Sequence, residues 1–71
     1  LKITPSVATD FIQIHSAAKV TGVEIIDMNG RSILKANNAT TVNVSTLAKG
    51  VYFVTASNAK GEKEVAKFIK K

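Results

Sequence analysis

The sequence predicts an all-β domain, a small β-sandwich of about seven short antiparallel strands, and three observations carry that prediction. Many of the apolar residues are β-branched: Val7, Val20, Val23, Val42, Val44, Val51, Val54 and Val65, with a scatter of Ile and Thr. Such side chains fit a pleated, half-buried surface better than a helix. Turn signals recur about every eight to twelve residues, the rhythm of a sandwich or barrel. No periodic segment is long enough to require a helix, except the last. With 71 residues the chain is one domain, residues 1–71, whose core supplies only a few kcal/mol of net stability.

The elements follow in order. "LKIT" opens as a strand and Pro5-Ser6 ends it. "DFIQIH", Asp10 to His15, alternates with Ile12 and Ile14 on one face. In "VEIIDMNGRSIL" the pair Asn29-Gly30 reads as a two-residue hairpin turn in which both residues accept positive φ, flanked by apolar strands. A polar stretch, "KANNATT", loops to the short strand Val42 to Val44. "STLAKG" leads into "VYFVTAS", and Asn58-Ala59-Lys60-Gly61 reads as the hairpin loop before "EKEVAKFIK".

That last segment admits two readings. Val65, Phe68 and Ile69 suit a helix with a basic outer face. As a strand, Ala66 and Phe68 face one way and Val65, Lys67 and Ile69 the other. The strand is favoured, because a helix would leave the strong β segment before it without a neighbour.

One stretch is structurally specific. In "LAKGVY", Leu47 plugs the core, Gly50 permits a tight bend, and Tyr52 returns its hydroxyl to backbone around Ser45 to Leu47. A tyrosine near the start of the penultimate strand locks the corner of Ig-like Greek-key sandwiches in this way, which refines the fold class to that type.

Chemistry is sparse. The only histidine, His15, sits on the polar side of a strand, and a nucleophilic site would need Asp10 and Ser16 gathered with it in a cleft. No His/Cys pair and no grouped carboxylates suggest a metal, and the four glycines stand singly at turns rather than in a phosphate-binding loop. The expectation is no enzyme, no metal, no cofactor and no small-molecule substrate. Two Asn-x-Ser/Thr patterns, at Asn38 and Asn43, arise readily by chance in such a chain.

Ten Lys/Arg against five Asp/Glu give a formal charge of +5, concentrated in residues 60–71. A basic end attracts nucleic acid, anionic lipid or an acidic protein surface. Only four aromatics, none at base-stacking spacing, argue against nucleic acid. No apolar run approaches the ~20 residues of a membrane-spanning helix. Zero cysteines exclude disulfide staples and leave the redox compartment unread. The chain opens at Leu1 without methionine or signal peptide, and we expect it to be the end of a longer secreted protein.

Taken in order, "ITPSVATDFIQI", "VEIIDMNGR", "VNVSTLAKGVYFV" and "KEVAKFIKK" resemble the C-terminal sorting domains of the type IX secretion system of Bacteroidetes. The resemblance covers nearly the whole chain. It departs at Pro5-Ser6-Val7, which lacks the usual Asn and second Pro, and at Ile26, where Tyr is common. It implies a C-terminal address: an upstream cargo in the same chain crosses the periplasm, and outer-membrane translocation machinery reads the domain. The cargo then reaches the cell surface or medium, and a sortase-like peptidase commonly removes the domain. On that reading Phe68 and Ile69 dock the terminal segment while Lys67, Lys70 and Lys71 with the terminal carboxylate face the machinery. Deleting Lys67 to Lys71 is then expected to block export while the remainder folds. Two alternatives are an Ig-like adhesion or accessory module and a basic terminal helix on an anionic membrane. Homodimerisation through an edge strand is a further expectation for a small sandwich.

Overall fold

Alternating side chains assign each strand a buried and an open face, and the computed structural model, which describes residues 2–16, 19–37 and 40–71, shows where those faces meet. Among the described residues there are eight strands and no helix. They are β1 (Lys2–Thr4), β2 (Val7–Ala8), β3 (Phe11–His15), β4 (Val20–Asp27), β5 (Ser32–Asn37), β6 (Thr41–Asn43), β7 (Gly50–Asn58) and β8 (Lys63–Lys70). β1, β3 and β6 form a three-stranded antiparallel sheet in the order β1-β3-β6. The other five form a second sheet in the order β2-β8-β7-β4-β5.

Two expectations are corrected. The count exceeds seven because β2 is only two residues long, too short for any alternation to reveal it. The pairing is not wholly antiparallel, since β2 runs parallel to β8 with Val7 opposite Ile69 and Ala8 opposite Lys70. The physical reason lies in backbone satisfaction. Ile69 N–H donates to the Ser6 carbonyl and Lys71 N–H to that of Ala8, each at 2.8 Å. Without β2 these donors would face away from β7 unpaired.

The core lies between the sheets. Ile3, Ile12, Ile14 and Val42 of the smaller sheet join Val23, Ile25, Val54, Ala56 and Phe68 of the larger in one buried cluster. Ile12 and Ile14 occupy the buried face of β3 as their spacing predicts. The terminal segment is strand throughout, so the helical alternative falls. Ala66 is half-buried and Phe68 buried, with Val65, Lys67 and Ile69 exposed, as the strand pattern requires. The "KANNATT" loop begins later than expected. β5 continues to Asn37 because Ala36 packs half-buried against the core and Lys35 Nζ lies 3.8 Å from Glu24 Oε2 across the β4–β5 pair. Asn38 and Ala39 fall outside the described residues.

Both hairpins turn the same way. Asp27 N–H donates to the Arg31 carbonyl at 3.0 Å, so the first loop holds Met28, Asn29 and Gly30, not Asn29-Gly30 alone. Gly30 takes φ 81°, the left-handed position of a three-residue loop with a bulge. Asp27 Oδ1 accepts from the N–H groups of Asn29 and Arg31, both at 2.9 Å. In the β7–β8 loop, Asn58 Oδ1 accepts from Lys60 N–H at 2.9 Å and Glu62 N–H at 3.1 Å, with Gly61 at φ 82°. An Asx side chain therefore organises each loop and a glycine three residues later closes it.

Candidate functional site

The corner before β7 is built as its residues suggest, with one displacement. Leu47 is buried and Gly50 takes φ 152°, a conformation that favours glycine. The Tyr52 hydroxyl donates to the Ala48 carbonyl at 2.6 Å, one residue beyond the expected span of Ser45 to Leu47. The shift has a local cause. Leu47 N–H already donates to the Val44 carbonyl at 3.0 Å, and Asn43 Oδ1 holds Ser45 through its N–H at 2.9 Å and its hydroxyl at 2.6 Å. These bonds tighten the chain into a turn that brings Ala48, not Ser45, over the tyrosine. They also explain the Asn43-Val44-Ser45 pattern as a turn-forming pair.

Tyr52 and Phe68 are direct cross-strand partners, and their rings stack with centroids 5.6 Å apart at 22°. Such a pair contributes roughly 0.5–1.5 kcal/mol beyond area burial. The corner and the terminal strand are thus one packed unit.

Within residues 67–71 the side chains divide cleanly. Lys67 and Lys71 are exposed, and Ile69 is 40% exposed. Phe68 is only 1% exposed. Lys70 points to the inner side, is 9% exposed, and donates from Nζ to the Lys71 carbonyl at 3.3 Å. Phe68 is therefore the anchor of the segment, while Ile69, with Lys67, lies on the open face. Ile69 and Lys70 are held between β7 and β2, and Lys71 N–H donates to the Ala8 carbonyl, so the end of β8 lies just inside the sheet edge.

His15 is exposed, and its Nε2 lies 2.7 Å from the Thr4 hydroxyl on the adjacent strand. Among the described residues, no three His, Asp or Glu side chains gather where a metal could bind. What the sequence reasoning missed is the outer face of the larger sheet, where Val7, Ile33, Phe53, Val65 and Ile69 are exposed. The signal was present in "VYFV", which is apolar at both parities of β7.

The protein so defined is an all-β module whose features lie on surfaces: a locked corner and a basic terminal strand anchored by one aromatic. The sequence model of one family, described as the secretion system C-terminal sorting domain, matches residues 2–71. The chain belongs to this family, the type IX sorting domains of Bacteroidetes. No curated protein and no solved structure matches it.

Proposed function

We propose that the domain is the address that sends an upstream cargo in the same chain through the type IX outer-membrane machinery to the cell surface or medium. The observation that carries this reading is the family match over residues 2–71. Transit through the periplasm and removal by a sortase-like peptidase complete the proposal. Neither the domain's own residues nor a bound cofactor performs chemistry in it.

The fold is read as an Ig-like Greek-key sandwich. Support comes from the neighbouring order β8-β7-β4, which matches the G, F and C strands of such domains, and from the tyrosine corner near the start of β7. The terminal residues act in two groups. Phe68 and Lys70 fix the strand, and Lys67, Ile69 and Lys71 meet the machinery by charge steering and apolar contact.

Truncation at Ala66 removes a buried aromatic together with the partner of β2, so lost export would report unfolding as well as lost recognition. The better test uses exposed positions. A reporter with a signal peptide, ending in residues 1–71, is expressed in a Bacteroidetes host with a working type IX system, beside Lys67→Glu/Lys71→Glu. Export of the first and periplasmic retention of the second, with both folded by circular dichroism, is the expected result. Equal export of both moves recognition off the terminal lysines. Retention of the unaltered fusion refutes the sorting reading and favours an Ig-like adhesion or accessory module.

A further inference from the structure

The outer face of the five-stranded sheet is organised in rows. Val7, Ile69 and Val51 stand side by side across β2, β8 and β7. Next to them Lys67, Phe53 and Ile26 align across β8, β7 and β4. A third row sets Val65 beside Thr55, Glu24 and Lys35, and a fourth sets Lys63 beside Ser57, Gly22 and Asn37. The apolar side chains of the first two rows remain substantially open to solvent, Ile69 at 40% and Phe53 at 37%, and Val65 beside them is 63% exposed. Contiguous exposed apolar surface rimmed by charge marks a contact surface.

Gly22 gives the fourth row its shape. With no side chain there, a depression of about 190 Å³ opens between Lys35 and Lys63, bordered by Glu24, Asn37 and Ser57. Gly22 is not held by backbone need, since its φ lies outside the left-handed region and an added Cβ would meet only Ser57 Cβ, at 4.0 Å. The face carries Lys35, Lys63 and Lys67 against Glu24, a net positive charge.

We infer that this face docks an acidic protein segment, whose apolar side chains cover the Phe53 and Ile69 rows and whose carboxylate enters the Gly22 depression between Lys35 and Lys63. Charge selects the occupant. A second copy would present a face of the same net positive sign, so two copies brought patch to patch repel, whereas an acidic segment is attracted. An anionic bilayer favours protruding apolar groups. Among the described residues the most exposed large apolar side chain is Met28, at 70%, in the β4–β5 loop rather than on a strand of this face. The inference rests on the sorting reading only in placing the partner among the export machinery.

The test is photo-crosslinking in the exporting host, with benzoylphenylalanine at position 53 of the full reporter fusion and, as control, at the exposed Lys60. Two variants probe the chemistry: Gly22→Val, which fills the depression, and Lys35→Gln/Lys63→Gln, which neutralises its walls through exposed side chains. We expect a position-53 crosslink to a protein segment rich in Asp and Glu, absent at position 60. Each variant should lower it about tenfold, the scale of losing a close charge pair. Should Gly22→Val misfold by circular dichroism, the lysine pair carries the test alone. A crosslink unchanged by the lysine pair, one to a second copy of the fusion, one to lipid alone, or none overturns the inference. Export is scored in the same cells. A charge-dependent crosslink without export refutes the sorting reading but leaves the docking face standing. Export without such a crosslink does the reverse.

Discussion

Replacing Tyr52 by phenylalanine removes one oxygen atom and tests whether the corner is held by its hydrogen bond or by packing. The hydroxyl donates to Ala48 at 2.6 Å, while the ring stacks on Phe68 and remains in the variant. A neutral hydrogen bond contributes about 0.5–1.5 kcal/mol net, and a stranded buried partner raises the cost. Ala48 is exposed, so water can reach its carbonyl and limit that second contribution. The expected loss is therefore about 0.5–1.5 kcal/mol. For a domain of this size, each kcal/mol lowers the melting temperature by roughly 4–8 °C. Urea unfolding followed by circular dichroism measures it, with the midpoint falling and the slope unchanged. A change below about 0.3 kcal/mol would show that the tyrosine serves only through its ring, and the hydrogen-bonded corner would lose its energetic basis.

The terminal strand should show sharp alternation in its response to substitution. Phe68→Ala is expected to cost about 3–5 kcal/mol, since it empties a fully buried site. That is a large share of a domain stability of roughly 4–10 kcal/mol. Ile69→Ser, one residue on but facing out, should cost under about 1 kcal/mol by the same urea measurement. Asn58→Ala removes the acceptor for Lys60 and Glu62 N–H and should cost about 1 kcal/mol, with no change in the core aromatic stacking seen by near-ultraviolet circular dichroism. Gly61→Val forces a branched residue to φ 82° and should destabilise by about 1–2 kcal/mol, more than Gly22→Ala, where the backbone imposes no such demand.

How much of this was legible in the sequence depends on the range of the signal. Alternation reports burial locally, so β3 and the strand character of residues 63–70 could be read from Ile12, Ile14, Ala66 and Phe68. The corner was readable because leucine, glycine and tyrosine each have one demanding role at a fixed spacing. The hairpins were placed but mis-sized. Asn-Gly draws attention to itself, whereas the loops are set by Asp27 and Asn58, each three residues before its glycine. β2 was invisible because two residues carry no period, and its parallel pairing answers a need created by residues 69–71, about sixty positions away. The Gly22 depression escaped for a similar reason. It exists only because Lys35 and Lys63, distant in sequence, flank that glycine from opposite sides.

These contacts change what a basic C-terminus means in this chain. A charged tail could in principle be read alone, but here residues 68–70 are held from three directions: Phe68 by the Tyr52 ring, Ile69 by the Ser6 carbonyl, and Lys70 by burial on the inner side. The exposed lysines Lys67 and Lys71 therefore have fixed positions relative to the open apolar face only while the corner is closed. Under the proposed function, a receptor that reads Lys67 together with Phe53 and Ile69 would be reading the folded state of the sandwich, not a linear sequence. Damage to the corner and charge reversal on the strand would then block export by separate routes. Tyr52→Ala should fail with a collapsed melting transition, and Lys67→Glu/Lys71→Glu should fail with the transition intact. If a peptide of residues 63–71 alone competed with the folded domain for export at equal concentration, the dependence on fold would be refuted and the address would be linear after all.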